Sequence, residues 1–183
     1  MSEYSSLYIN IPIDEEKLNK FFEEKPLPLR PDESWKSWWD SREMHGKLPL
    51  ERIPVYQANS NRDLFEDLLK KQKSGSFERY APASLRWTFI SVFFSENYVE
   101  LLPMLMLLKN LAACRGTEEK GVAFIYDFYW GNTSVMAYLD FSGTQALLKN
   151  YTKTADIDQE IWNEANRLLE AAVETINKQF EDS

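Results

Sequence analysis

The sequence predicts an α+β fold, an antiparallel sheet of about four strands packed against several helices. Three observations carry this. Two long apolar-alternating segments flank Gly131-Asn132, a strong hairpin signal. Leu85–Phe94 is dense in β-branched and aromatic residues. Amphipathic stretches fill most of the remainder, the longest at the C-terminal end. The 183 residues suit one domain over 1–183, with residues 1–60 as an N-terminal extension packed on the core as the variant reading.

Leu7–Ile11 alternates enough for a short strand. Its place in the sheet is not fixed by the pattern. Asp14 then reads as an N-cap, with Glu15 and Glu16 in the first turn and Ile13 and Leu18 at staple spacing. That helix buries Leu18, Phe21 and Phe22 and stops before Pro26. Pro26, Pro28 and Pro31 make a stiff connector. Asp32 caps a second helix that sets Trp35, Trp38, Trp39 and Arg42 on one face, and Gly46 is its stop signal. Three tryptophans at this spacing read first as core and second as a stacking face for a partner. Residues 47–59, with Pro49 and Pro54, read as a loop or edge segment.

Ser60 or Asn61 opens a third helix with the stripe Leu64, Phe65, Leu68, Leu69. Lys70, Lys71 and Lys73 suit its C-terminal dipole, and Gly75 ends it. In the 85–94 strand, Trp87, Phe89 and Phe93 fall on one face and Ile90, Val92 and Phe94 on the other. Such a strand is covered on both sides. Asn97 with Glu100 resembles a capping box, which places Pro103 inside the helix unless the helix begins near Leu102. Met104–Cys114 is apolar almost all round and predicts a buried helix ended by Gly116.

A two-residue Gly131-Asn132 turn between Val122–Trp130 and Thr133–Phe141 pairs 130 with 133 and 122 with 141. One face is then Val122, Phe124, Tyr126, Phe128 and Trp130 with Phe141, Leu139, Ala137 and Val135. A one-residue slip would mix the sets, so the pattern argues for this register. Ser142-Gly143 turns the chain into a short helical stretch over Thr144–Tyr151. Asp156 with Gln159 forms a capping box for the final helix, whose inward stripe runs Ile157, Ile161, Ala165, Leu168, Leu169, Ala172, Val173, Ile176, Phe180. Glu160, Glu164, Glu170 and Glu174 lie on its solvent side.

Composition narrows function. One histidine, His45, and one cysteine, Cys114, stand beside six tryptophans, nine tyrosines and eleven phenylalanines. A single thiol forms no internal disulfide and builds no Cys-rich zinc site, and Cys114 reads as a small buried hydrophobe. His45 follows the tryptophan helix on a helix end, a solvent-facing place rather than a catalytic one. One histidine builds no His-based transition-metal site, although carboxylates could still take Mg²⁺ or Ca²⁺. No phosphate-binding glycine motif or serine elbow occurs either, so no cofactor and no metal are expected. The formal net charge is −8, and residues 151–183 carry eight acids against three bases. That balance disfavours nucleic acid and anionic membrane as partners and suits a basic protein. The longest apolar run, Leu101–Leu108, is too short to span a bilayer, and no export signal is visible, so a cytoplasmic location is expected.

The residues with functional potential are Asp127, Tyr129, Tyr138 and Asp140 on the polar hairpin face, with Glu160 and Glu164 on the last helix. Tyrosine offers contact area at low entropy cost, and a carboxylate receives Arg or Lys. The reading they favour is a protein-binding protein without catalysis: a bacterial immunity or inhibitor protein that occludes a basic toxin, such as a nuclease. The alternatives are a hydrolase or transferase using Asp127, Asp140 and Tyr138, and a structural homo-oligomer subunit. As an acid–base pair the two aspartates would stand more than ~10 Å apart along the ladder, wider than typical glycosidase carboxylates.

Overall fold

A computed structural model describes residues 4–28, 31–43, 46–71 and 73–181. His45 lies outside the described residues. The first strand, β1 (Ser5–Pro12), is buried along nearly all its length. It is the middle of the sheet, not an edge, and explains why Leu7, Ile9 and Ile11 are apolar while Tyr8 is equally buried on the other face. It pairs antiparallel with β3 (Arg86–Ser95) on one side and β4 (Gly121–Tyr126) on the other. Six strands, not about four, form the sheet in the order β2-β3-β1-β4-β5-β6, with every neighbour antiparallel.

The two strands absent from the sequence reading are the two edges. β2 (Ser76–Ala81) hairpins onto β3, and its half-polar composition, SFERYA, hides it. β6 (Gln145–Lys149) replaces the expected helix over Thr144–Tyr151. Gly143, at φ +57°, makes the tight reversal from β5 (Val135–Ser142), and Ser142 pairs with Gln145. Ala146 and Leu148 then alternate inward.

The β4–β5 register is also corrected. Val122 faces Asp140, one residue from the expected Phe141, and the pairing ends at Tyr126↔Val135 after a bulge. Residues 127–134 form the connection, in place of a two-residue turn. Asp127 N–H donates to Ser134 O (3.1 Å) and Gly131 N–H to Phe128 O (3.2 Å). The backbone of 133–135 is engaged elsewhere: Val135 N–H donates to Thr152 O (2.9 Å) and Thr154 N–H to Thr133 O (2.8 Å). Alternation chooses a register only where one sheet face is wet. Here both are dry, and Ala123 and Ile125 are buried as deeply as Phe124 and Tyr126. A register shift against β1 similarly breaks the alternation near the end of β3. Phe93 therefore joins Ile90 and Val92, and Phe94 packs with Trp87 and Phe89.

Four helices cover one face. α1 (Glu15–Glu23) is capped by the Asp14 carboxylate and buries Leu18, Phe21 and Phe22. α2 (Glu33–Asp40) is capped by Asp32 and turns Trp35, Trp38 and Trp39 into the core. α3 (Asn61–Lys70) is capped by Ser60 and buries Phe65. α4 (Tyr98–Cys114) starts at its Asn97 cap, so Pro103 lies inside it, and Leu101–Leu108 is buried on every side. One helix, α5 (Gln159–Glu181), crosses the other face alone. Its cap is Asp158, which accepts from Glu160 N–H (3.0 Å). Asp156, the expected cap, instead accepts from the N–H groups of Thr152 and Lys153 (3.1 Å each). The inward stripe is as expected from Ile157 to Ile176, while Phe180 is exposed. No described helix is long and apolar enough to cross a membrane.

Candidate partner-binding face

The α5 face differs from the other because a single helix cannot cover a six-stranded sheet. Two rows of the sheet show what is left. In-register pairing places Phe77, Ile90, Tyr8, Phe124, Tyr138 and Lys149 in one line across all six strands. The next line is Arg79, Thr88, Asn10, Val122, Asp140 and Leu147. The first is mostly aromatic and apolar and meets α5; the second is mostly polar.

Where the polar line meets the N-terminal half of α5, a trough of about 420 Å³ opens. Tyr8, Asn10, Tyr138 and Asp140 line it from the strands, Tyr151 from the lead-in to α5, and Glu160 and Glu164 from the helix. Arg86 and Lys120 stand at the β3 end. Arg42 holds Tyr151 in place from the far side of the sheet, donating to Tyr151 O (2.7 Å) and Val135 O (3.2 Å). Arg86 donates to Asn10 Oδ1 (2.8 Å), and Asn10 Nδ2 donates to Tyr8 Oη (3.2 Å). The aromatic floor is continuous: Tyr8–Phe124 centroids are 5.1 Å apart, Phe124–Tyr138 5.5 Å and stacked, Tyr138–Tyr151 4.7 Å.

The field along the trough is uneven. Burial raises the Tyr138 hydroxyl pKa, and Asp140, Tyr151 and Asp158 push it further the same way. At Tyr8 burial again dominates, but Arg86 and Arg167 oppose Glu164. Both hydroxyls are therefore neutral donors, one in a negative field and one in a mixed field. Lys149 lies 3.7 Å from Asp140, and Arg167 pairs with Glu164 through two donors (2.8 and 3.0 Å). Among the described residues Glu160 makes no ion pair, and no three acidic, Cys or His side chains converge as a metal site.

The opposite flank of the face is aromatic and exposed. Tyr4, Phe93, Tyr129 and Trp130 form a chain of edge contacts at 5.9, 4.8 and 5.2 Å. Tyr129 is 45% and Trp130 51% exposed. Between the flanks runs the solvent side of α5, where Glu170 and Glu174 are exposed and Glu160 continues the ridge.

The structure thus gathers Tyr138, Asp140, Glu160 and Glu164 around one trough. Tyr129 stands at the other end of the sheet. Asp127 is 3% exposed, with its Oδ1 buried and lacking a hydrogen-bond partner, so it is not on a solvated strip. Asp127 and Asp140 do not share a site, because Asp140 faces Val122 at the far end of β4. Tyr8, Asn10, Arg86 and Tyr151 were not legible as site residues. Tyr8 and Asn10, with alternate positions facing α5, were the available signal. The chain matches no family model, no curated protein and no solved structure in the comparisons made.

Proposed function

We propose that this chain is an acidic binding protein without catalysis, which neutralises a basic protein partner by occlusion. In its concrete form it is a bacterial immunity or inhibitor protein acting in the cytoplasm on a toxin, such as a nuclease. The observation that carries the reading is the α5 face itself. An acidic helix ridge runs between an exposed aromatic cluster, Tyr4-Phe93-Tyr129-Trp130, and a tyrosine-lined trough. Interfaces concentrate energy in exposed Tyr and Trp anchors, and an acidic ridge speeds encounter with a basic target. The net charge of −8 acts in the same direction.

Affinity capture from the native host, followed by mass spectrometry, tests it. The expected result is one stoichiometric basic protein, whose recovery falls with rising salt and is lost when Tyr129 and Trp130 are both replaced by Ala. Capture of no stoichiometric partner, or of one indifferent to those substitutions and to Glu170→Lys, contradicts it.

A further inference from the structure

The trough beside α5 carries more than a share of an interface. Tyr138 is 94% buried, given its 6% exposure, yet its hydroxyl has no hydrogen-bond partner among the described residues while the residue lines the open trough. Tyr8 is buried to a similar degree and accepts from Asn10, which leaves its own proton to give. The Tyr138 hydroxyl reaches the open trough, so two hydroxyls with spare hydrogen-bonding capacity line one concavity, where a ligand supplies the partners that water otherwise gives.

The charges are sorted along the length. At the β5 end stand Asp140, Glu160 and Glu164, with Asp158 close enough to act on Tyr138. At the β3 end stand Arg86 and Lys120. Lys149 and Arg167 neutralise Asp140 and Glu164 in part, which leaves Glu160, with Asp158 behind it, without an ion pair among the described residues. The pairs Asp140↔Val122, Val122–Asn10 and Asn10↔Thr88 put three strand spacings, roughly 14 Å, between the two ends. The Arg86 side chain bridges part of that span toward Asn10. A metal ion would need the acids to converge, and they do not. A simple anion would meet the carboxylates, and a simple amine would leave Arg86 and Lys120 unanswered.

We propose that the trough binds a basic amino-acid residue with a free carboxylate. Its cationic side chain lies against Glu160, Asp140 and the rings of Tyr138 and Tyr151, and its carboxylate is held by Arg86 and Lys120. Such a ligand is either the free amino acid or the last residue of a chain. The site stands whether or not the α5 face binds a protein.

Calorimetric titration of the full-length protein tests this with L-arginine, agmatine (the same cation without the carboxylate) and citrulline (the same shape without the cation). Arginine is expected to bind saturably, agmatine about tenfold more weakly, and citrulline not measurably at about 10 mM. Glu160→Gln should weaken arginine and agmatine alike by about tenfold. Arg86→Gln should bring arginine down to the affinity of agmatine and leave agmatine unchanged, which also shows that the variant is folded. N-acetyl-arginine separates the sources: equal affinity with arginine assigns the site to a chain end, and weaker binding assigns it to the free amino acid. Absence of saturable arginine binding overturns the proposal, as does equal binding of citrulline or affinity indifferent to Glu160→Gln and Arg86→Gln.

Discussion

On one face of the sheet, four helices bury three tryptophans, Phe65 and the whole of Leu101–Leu108; on the other, a single helix crosses and leaves both flanks open. The first face spends its aromatics on packing. Phe22, Phe65, Trp87 and Phe89 meet edge to face at centroid distances from 5.0 to 5.9 Å. The second face has aromatics of both kinds. Phe124 and Tyr126 lie under α5, and Tyr129 and Trp130 stand in solvent. The difference shows that composition alone does not separate core from surface. The covering helix decides, and α5 is too narrow to cover everything.

The asymmetry predicts opposite outcomes for the same kind of substitution. Trp38→Ala removes a fully buried indole of α2 from the four-helix side of the core and should cost about 3–5 kcal/mol in denaturant unfolding. Trp130→Ala should change stability by no more than about 0.5 kcal/mol and weaken partner binding by about 2 kcal/mol. If both variants lose stability equally, the faces are not distinct in the way described.

The next largest effect concerns the seating of α5. Gly75 sits at φ +61°, where a Cβ would come within 2.7 Å of Ile176 Cδ1 and 2.9 Å of Val92 Cγ2. Gly75→Ala should destabilise by more than about 1 kcal/mol, read as a lower urea midpoint, because strain and crowding act together. A neutral result would mean that α5 rests more loosely than its buried stripe indicates.

Legibility in the sequence followed the same asymmetry. Helices with a cap and one apolar stripe, α1, α2 and α3, were readable because Asp14, Asp32 and Ser60 each bond the first-turn backbone as their positions imply. The inward stripe of α5 was readable from its apolar spacing alone, because its cap is Asp158 and not the expected Asp156. The sheet was harder. Its edge strands are short and half polar, and a two-sided core erases the contrast that fixes register, which is why β4 and β5 slipped by one. The trough could not be assembled beforehand. Tyr8, Asn10 and Arg86 reach it through β1's central position, which no local pattern encodes. Tyr138, Asp140, Glu160 and Glu164 were recognised by residue type, and Asp127 was misplaced because its strand ends one residue earlier.

Charge gives two smaller tests. Replacing Glu170 and Glu174 with Gln should slow partner association a few-fold at low salt, with little change near 1 M salt and none in stability. A change in dissociation rate instead would place those residues inside the contact. On the four-helix face, burial pushes the Asp32 pKa up. Hydrogen bonds from Lys109, Ser34 and the Trp35 backbone outweigh it, so the net shift is downward. Its stabilisation is present above the unfolded-state value of about 3.9 and is lost as pH falls through the lower folded value. Asp32→Asn keeps a capping oxygen and should cost under about 1 kcal/mol at pH 7, discounted for the solvent exposure of the pair. The difference from the native chain should vanish in acid unfolding at low pH.

The most direct test of the α5 face is amide hydrogen exchange of the protein free and bound to its captured partner. Slowed exchange in residues 127–134, with α1, α2 and α3 unchanged, is the predicted result. Protection confined to the four-helix side, with 127–134 exchanging as in the free protein, would contradict it.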